Sequence, residues 1–143
     1  MAITSAMCNS FKQEILEAEH NFTASTGDTF NLALYDSDAT LSKSTTAYTT
    51  SEELATTGGY TAKGKALTSV TPVLDSDTAV CDFANISWTS ASFTARGCLI
   101  FNDDNSDTSD CAIDFGGDKT VTSGTFTVEF PAAAAATAII AIA

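Results

Sequence analysis

The chain has 143 residues, 44% of them hydrophobic, and this length favours one compact domain over residues 1–143. Six Lys and Arg residues stand against 18 Asp and Glu residues, so the formal net charge is −12. Affinity for phosphate depends on Lys and Arg, so this charge excludes nucleic acid as an expected partner. The same charge keeps copies of the chain apart until a specific surface binds them.

We expect no segment of this sequence to span a membrane or to direct export. No stretch has the roughly 18 consecutive apolar residues that a membrane-spanning helix needs, and the alanine-rich stretch 131–143 is too short. The N-terminus lacks the basic start and the apolar run of a secretory signal peptide. We therefore expect no membrane partner and synthesis in a reducing cytoplasm.

Residues 4–19 carry the clearest helix signal. Thr4 or Ser5 can cap the first turn, and apolar residues then recur at helical spacing. This apolar stripe contains Met7, Cys8, Phe11, Ile15 and Leu16. Two interpretations stay open: the helix packs on its own domain, or it is an arm that docks onto a neighbouring subunit.

After residue 28 the spacing of apolar residues changes from the helical pattern to strict alternation. Phe30, Leu32 and Leu34 fall on one side of a predicted half-buried strand, Thr29–Tyr35. Residues 39–62 contain few large apolar residues, which predicts a long surface loop with one helical turn over Ser51–Ala55.

Strand signals dominate the rest of the chain. Two long strands are joined by an acidic hairpin loop, and the second turns at Asp114–Lys119. About seven segments bounded by Gly, Pro, Asp or Asn predict strands. They are Thr29–Tyr35, Ala66–Val70, Thr78–Trp88, Ser92–Asn102, Cys111–Phe115, Thr125–Phe130 and Ala138–Ile142. The fold class is therefore mainly β: an antiparallel β-sandwich over residues 28–143 with an N-terminal α-helix.

The alanine run Ala132–Ala136 would by itself favour a helix. Pro131 before it and the isoleucine-rich residues 139–142 after it instead predict a connector to a fully buried last strand. A helix over Ala132–Ile142 is the competing prediction.

The four cysteines predict core residues rather than a metal centre. Cys8, Cys81, Cys98 and Cys111 form no CxxC pair, and zinc sites need clustered ligands. In a reducing cytoplasm such residues are small apolar core groups. One disulfide stays open, Cys98–Cys111, since these residues flank one hairpin loop and would face each other if the turn centred near Asp104.

Catalytic groups are scarce in this sequence. His20, the one histidine, follows the predicted helix without an evident partner, and a single histidine is more often structural than catalytic. Nucleophile-elbow, phosphate-loop and zinc-protease motifs are absent from the sequence. We predict no enzyme, no catalytic residue and no cofactor.

The acidic loop at residues 102–110 is the best metal candidate. Asp103, Asn105 and Asp107 have the alternate spacing of a calcium loop. Thr108 stands where such a loop requires glycine, and Asp114, at the final ligand position, falls in a predicted strand. We therefore favour a solvated hairpin tip over calcium and predict no metal site.

Arg96 is the one arginine and lies in the middle of a predicted strand. Its guanidinium can form a charge-assisted bond to Asp82 or Asp114. An ion pair within the fold is the default interpretation, and a subunit contact is the alternative.

Several segments together resemble a family of small virion structural proteins of tailed bacteriophages. They occur in the same order and span nearly the whole chain: Met1–Glu14, Phe30–Tyr35, Gly59–Ala62, Phe93–Gly97 and Asp114–Lys119. None of these motifs is catalytic, so the resemblance implies a structural part. Family members usually carry alanine or valine near Cys81, Cys98 and Cys111, so a disulfide is not part of what the resemblance implies.

The resemblance implies a capsid decoration, or cement, protein that stabilises the shell. Such a protein would be located in the virion, form a homo-oligomer, with a trimer favoured, and contact the major capsid protein or other virion subunits. The helix stripe or the loop at 39–62 would supply the docking surface. The residues expected at this interface are Phe11, Ile15, Leu16, Tyr48 and Arg96.

Two alternatives remain at this stage. The first is a tail, collar or fibre-attachment component of the same virion, which the residues do not distinguish from a shell protein. The second is a carbohydrate-binding module for the host surface, in which exposed aromatic rings would bind sugars. Its candidate rings are Tyr35, Tyr48, Tyr60 and Trp88, although we expect Trp88 in the core.

Overall fold

The structure is a computed structural model that describes residues 2–143; Met1, where the predicted domain and the resemblance begin, lies outside the described residues. The elements in chain order are β1 (Ala6–Met7), α1 (Asn9–Leu16), β2 (Phe30–Tyr35), β3 (Lys65–Ala66), β4 (Ser69–Asp75), β5 (Thr78–Phe83), β6 (Ile86–Asn102), β7 (Thr108–Val128) and β8 (Ile140–Ile142). Two antiparallel sheets and one N-terminal helix confirm the predicted mainly β class and are consistent with a β-sandwich.

The long hairpin of β6 and β7 organises the larger sheet. The two strands pair from Ile86 opposite Val128 to Asn102 opposite Thr108, and the acidic loop closes the hairpin as predicted. β2 pairs with the other edge of β6, and β1 and β3 complete the order β1-β7-β6-β2-β3. β6 is therefore a central strand with neighbours on both sides.

A wide bulge bends this hairpin at Arg96. Ala95 lies opposite Lys119 and Gly97 lies opposite Asp114, so residues 115–118 of β7 have no partner of their own on β6. Gly116 adopts a φ of 77°, which glycine tolerates best. The predicted turn at Asp114–Lys119 is therefore an excursion within a strand rather than the end of one.

Several predicted strand boundaries are wrong. The predicted strand Thr78–Trp88 breaks after Phe83, because β5 belongs to the smaller sheet and β6 starts at Ile86 in the larger one. The predicted strand Ser92–Asn102 is only the second part of β6. Predicted Ala66–Val70 likewise divides between β3 and β4.

Along β7 the sequence predicted two strands where the structure has one. Predicted strands Cys111–Phe115 and Thr125–Phe130 are parts of one strand that ends at Val128. Residues 119–121 and Gly124 between them carry little apolar signal, but they pair with residues of β6. Tertiary pairing therefore extends the strand beyond what its side chains indicate.

β2 is buried on both faces rather than half-buried. Phe30, Leu32 and Leu34 join the main core cluster, whereas Ala33 and Tyr35 join a second cluster with Leu41 and Leu99. The loop at 39–62 contributes to the second cluster, so it is packed onto the sheet rather than free on the surface. Residues 51–55 form a turn and a β-bridge instead of the predicted helical turn.

The helix starts later than predicted. Ala6 and Met7 pair with Ala112 and Cys111 of β7, which holds this part of the chain extended, so neither Thr4 nor Ser5 caps a helix. Cys8 is the N-cap residue, and α1 covers Asn9–Leu16. Strand pairing at the edge of the sheet therefore overrides the helical periodicity of residues 4–8.

The C-terminal segment follows the connector prediction. Residues 133–137 form bends and turns, and β8 pairs with β5 at the edge of the smaller sheet. Ile140 is 2% exposed but Ile142 is 48% exposed, so the expectation of a fully buried last strand is wrong.

Cys8, Cys98 and Cys111 are buried as predicted, Cys81 is only partly buried, and the possible Cys98–Cys111 disulfide is wrong. Cys98 lies opposite Ile113 and Cys111 lies opposite Ile100, so the two cysteines do not face each other. All four thiols are free. Burial raises the pKa of the Cys98 thiol, which keeps it in the unreactive neutral form.

Two substitutions in α1 test how the helix packs. We expect Phe11→Ala to lower the free energy of unfolding by about 3–5 kcal/mol, because the ring is fully buried. Leu16→Ala should change it by less than about 0.5 kcal/mol, because Leu16 is 86% exposed. Equilibrium unfolding in urea measures both values, and equal effects would contradict this packing.

Candidate functional site

The predicted helix stripe is divided between the core and the surface. The Phe11 ring is buried against His20 and Phe22, and Ile15 is half-buried against the same core. Leu16 alone of the three predicted contacts projects into solvent. Phe11 is therefore not available to a neighbouring subunit, because it holds α1 on its own domain.

Tyr48 is also engaged within the chain. Its ring stacks on Phe101 with centroids 4.9 Å apart, and its hydroxyl donates to the Glu53 carboxylate. Burial, followed by the Glu53 contact, raises the pKa of Tyr48 to about 12. Glu53 also accepts bonds from the Tyr60 hydroxyl and the Lys63 backbone N–H, so this carboxylate orders the loop at 39–62.

Arg96 pairs across the wide bulge. Its Nε lies 3.2 Å from Asp114 Oδ1 and its Nη1 lies 3.5 Å from Asp118 Oδ1. The Gly116 backbone N–H, and then Arg96, lower the pKa of Asp114. Of the two predicted partners, Asp114 is the one that Arg96 contacts, and the guanidinium links both ends of the bulge.

The aromatic rings proposed for sugar binding lie mostly inside the fold. Tyr35, Tyr60 and Trp88 are each at most 3% exposed. Tyr60 and Trp88 pack near each other with centroids 6.1 Å apart. The ring faces that a sugar would stack on are therefore occupied by other core side chains, which removes the basis of the carbohydrate alternative.

A lysine occupies the space between the carboxylates of the hairpin tip. Lys63 Nζ lies 2.6 Å from Asp103 Oδ1 and 3.0 Å from Asp107 Oδ1. These oxygens are two of the ligands that a calcium loop would use. The ammonium group therefore supplies the positive charge that a cation would otherwise bring.

Three other carboxylates converge at the end of β2. Oxygens of Asp36, Asp38 and Glu52 lie within 4.8 Å of one another, and Asp38 and Glu52 are exposed. Asp36 Oδ1 also accepts a bond from the Asp38 backbone N–H, which is ordinary turn chemistry. This acidic cluster adds to the negative surface of the protein.

A cavity of about 420 Å³ lies between the middle of β7 and its C-terminal end. Phe115 and Phe126, with centroids 6.2 Å apart, line it together with Ile139 of the C-terminal segment. Lys119 and Glu129 are the charged residues in its lining. The cavity is thus an apolar space with one group of each charge.

The smaller sheet carries an exposed row of apolar residues. Leu74 of β4 lies opposite Ala79 of β5, and Ala79 lies opposite Ile142 of β8. Directly paired residues place their side chains on the same face of a sheet, so these three form one row, here named the apolar row. Leu74 is 75% exposed and Ile142 is 48% exposed.

The apolar row lies on the face of the sheet that forms the core. Cys81, Phe83 and Ile140 project from this same face, because strand side chains alternate. Phe83 and Ile140 belong to the main core cluster and are each 2% exposed. The side chains on this face of the smaller sheet are therefore apolar both where the face is buried in the core and where it is exposed to solvent.

His20 is the centre of a buried polar cluster that the sequence did not reveal. Its Nε2 lies 2.8 Å from Glu14 Oε2, its Nδ1 lies 3.1 Å from Asn102 Nδ2, and its side chain is fully buried. Asn102 Nδ2 also donates to Asp28 Oδ2 at 2.8 Å. These partners are as many as 82 residues away in sequence, so only the fold brings them together.

The hydrogen bonds of Asn102 orient its amide group relative to His20. Asn102 Oδ1 accepts from the backbone N–H groups of Asp104 and Asn105, which turns the amide nitrogen towards His20. The Nδ1 atom of His20 therefore faces the Asn102 amide nitrogen, and its Nε2 atom faces the Glu14 carboxylate.

Asp110 completes the cluster as a buried acid. Its Oδ1 lies 3.5 Å from His20 Nδ1, and within residues 2–143 neither carboxyl oxygen has a hydrogen-bond partner. Burial, and then the negative charges of Glu14 and Asp28, raise the pKa of Asp110 well above its usual value. Because burial disfavours the charged carboxylate and no hydrogen bond from the described residues stabilises it, the neutral acid is the form that fits this site.

Comparisons with protein-family models, with curated proteins and with solved structures found no match for this chain. Within the described range 2–143, no helix combines the length and the apolar character needed to cross a membrane.

The buried acid predicts a stability that falls as pH rises. The folded-state pKa of Asp110 lies above its unfolded value of about 3.9, so its contribution is complete in acid and is lost as pH approaches the folded pKa. Asp110→Asn, which keeps the shape and removes the titration, should reduce this slope by up to about 1.4 kcal/mol per pH unit.

Urea unfolding across a series of pH values measures this slope. Asp77→Asn is the matched control, because it removes one carboxyl group from an exposed turn. Parallel stability curves for the wild type and Asp110→Asn would show that folding does not raise the pKa of Asp110.

Proposed function

We propose that this chain is a structural protein of a tailed-bacteriophage virion, and specifically a capsid decoration protein. In this proposal the chain is made in the bacterial cytoplasm, assembles as a homo-oligomer and binds the major capsid protein. It stabilises the shell by burying additional interface between shell subunits. It has no catalytic role.

The apolar row is the observation that carries this proposal. A chain with a net charge of −12 leaves Leu74 and Ile142 exposed on a face that elsewhere forms its core. Leaving such residues in water is unfavourable, and burying a Leu or Ile side chain stabilises by roughly 1.5–3 kcal/mol. A surface of this kind suits a protein whose final state is an assembly.

The surroundings of His20 support a structural role over catalysis. Three phenylalanine rings, from Phe11, Phe22 and Phe30, have centroids within 6.4 Å of the imidazole. With its side chain fully buried, the one histidine of the chain is not accessible to a substrate. Its hydrogen bonds to Glu14 and Asn102 instead join α1 to the hairpin.

In this proposal the docking surface lies on the smaller sheet and not on the helix. Phe11 is in the core, Tyr48 bonds to Glu53 and Arg96 pairs with Asp114. Of the residues predicted for the interface, only Leu16 keeps a largely exposed apolar side chain. The apolar row replaces the helix stripe as the surface proposed to bind other virion subunits.

Quantitative mass spectrometry of purified particles tests this function. We expect the number of copies of this chain per major capsid protein to be near one, or a simple fraction such as one third. A handful of copies per particle would place the chain in the tail, the collar or a fibre attachment. Absence from particles would contradict a virion role.

Two matched substitutions distinguish the docking surfaces in the same particles. Leu74→Asp should lower the copy number, because it places a charge in the apolar row. Leu16→Asp introduces the same charge at a similarly exposed position on α1 and should leave the copy number unchanged. The reverse result would restore the helix stripe as the docking surface.

A further inference from the structure

The cavity between the middle of β7 and its C-terminal end is an opening in the side of the main core. Six apolar side chains line it, all of them partly buried and packed against the main core cluster: Ile113, Phe115, Phe126, Val128, Phe130 and Ile139. Its volume of about 420 Å³ lies within the range of roughly 300–1,000 Å³ that is usual for small-molecule sites. A concave space of this size suits a small ligand.

The apolar lining favours an apolar ligand body. Water inside such a cavity finds few hydrogen-bond partners, and replacing weakly held water by an apolar group is favourable. The rings of Phe115 and Phe126, with centroids 6.2 Å apart, and the side chain of Ile139 would contact that body. The ligand would thereby continue the packing of the core into the cavity.

The register of β7 places the side chain of Lys119 on the cavity side of the strand. Lys119 lies opposite Ala95, which belongs to the main core cluster, and directly paired residues share a face of a sheet. The next residue, Thr120, projects from the outer face, where its hydroxyl lies 2.8 Å from that of Thr94. No ion pair between described residues uses Lys119, so its ammonium group is available to a ligand.

Glu129, the other charged residue of the lining, projects away from the cavity. It is exposed and lies between Val128 and Phe130, which both pack against the core, so alternation directs its carboxylate to the outer face. On that face the hydroxyl of Thr127 lies 2.7 Å from that of Ser87. Of the two charged lining residues, Lys119 is therefore the one that directs its charge to the cavity side.

The net charge of the chain restricts where an anionic group can bind. A charge of −12 repels anions, but salt screens this repulsion with a Debye length of about 8 Å at physiological ionic strength. Asp118, next to Lys119 in the chain, has its Oδ1 3.5 Å from Arg96 Nη1, which offsets its charge. The ammonium group of Lys119 is therefore the position at this cavity where an anionic head group fits.

We propose that this cavity binds a small amphiphile with an apolar body and one anionic head, of the fatty-acid carboxylate class. The apolar body lies against Phe115, Phe126 and Ile139, and the carboxylate pairs with the ammonium group of Lys119. The apolar row does not line this cavity. The inference therefore goes beyond the proposed function and does not depend on it.

Isothermal titration calorimetry of the purified full chain with monomeric dodecanoate tests the proposal. We expect one saturable site per chain. Lys119→Glu should raise the dissociation constant for dodecanoate at least about tenfold, because an attractive charge is replaced by a repulsive one. The same variant should bind dodecylammonium more tightly than the wild type does. Absence of saturable dodecanoate binding to the wild type would overturn the proposal.

Lys43→Glu is the matched control. Lys43 is exposed in the loop at 39–62, outside the lining of the cavity, and its replacement changes the net charge by the same amount. It should leave the dissociation constant for dodecanoate unchanged. Equal weakening by both variants would show that net charge rather than the position of Lys119 decides binding, and would overturn the proposal.

Methyl-group NMR of the wild type locates the ligand without any substitution. The methyl resonances of Ile113, Val128 and Ile139 should shift as dodecanoate is added, while those of Leu16 and Leu74, which are exposed elsewhere, should not. Equal shifts at Leu16 and Leu74 would indicate unspecific adsorption and overturn the proposal. Shifts of the cavity methyl groups when the ligand-free chain is concentrated would show that another copy covers the cavity, which would also overturn it.

Discussion

The pairing of β6 with β7 is the interaction on which the rest of the structure depends. It provides the edges on which β1 and β2 pair. Its pairing register shifts at Arg96, and the ring centroids of Phe115 and Phe126 lie 6.2 Å apart. The main core cluster then joins this hairpin to Phe83 and Ile140 of the smaller sheet. Because that cluster includes only part of one face of the smaller sheet, the apolar row remains open.

The sequence predicted the class of fold, the acidic hairpin and the C-terminal connector, because these follow from local alternation and from Gly, Pro and Asp residues. The predicted helix and strand boundaries are wrong where pairing with another strand determines where an element begins or ends. Residues 4–8 have a helical period, but pairing with β7 holds Ala6 and Met7 extended. Residues 119–121 give little strand signal, yet they pair with β6.

The candidate site was less predictable than the fold, because it depends on contacts between distant residues. Phe11 belongs to an apolar stripe whose spacing is compatible with a core face and with a docking face. Its 0% exposure in the structure shows that it lies in the core. His20 has no partner nearby in sequence, whereas the fold brings Asn102 and Asp110 to its imidazole ring. Leu74 and Ile142 become one surface only through the register of three strands.

The central claim is that the open face of the smaller sheet is the surface through which this protein assembles. Hydrogen exchange followed by mass spectrometry, on the isolated chain and on the chain within its assembly, tests it most directly. The account predicts that backbone amides of β4, β5 and β8 gain protection on assembly while those of α1 and of the loop at 39–62 do not. Protection gained in α1 or in that loop, with none in the smaller sheet, would contradict it.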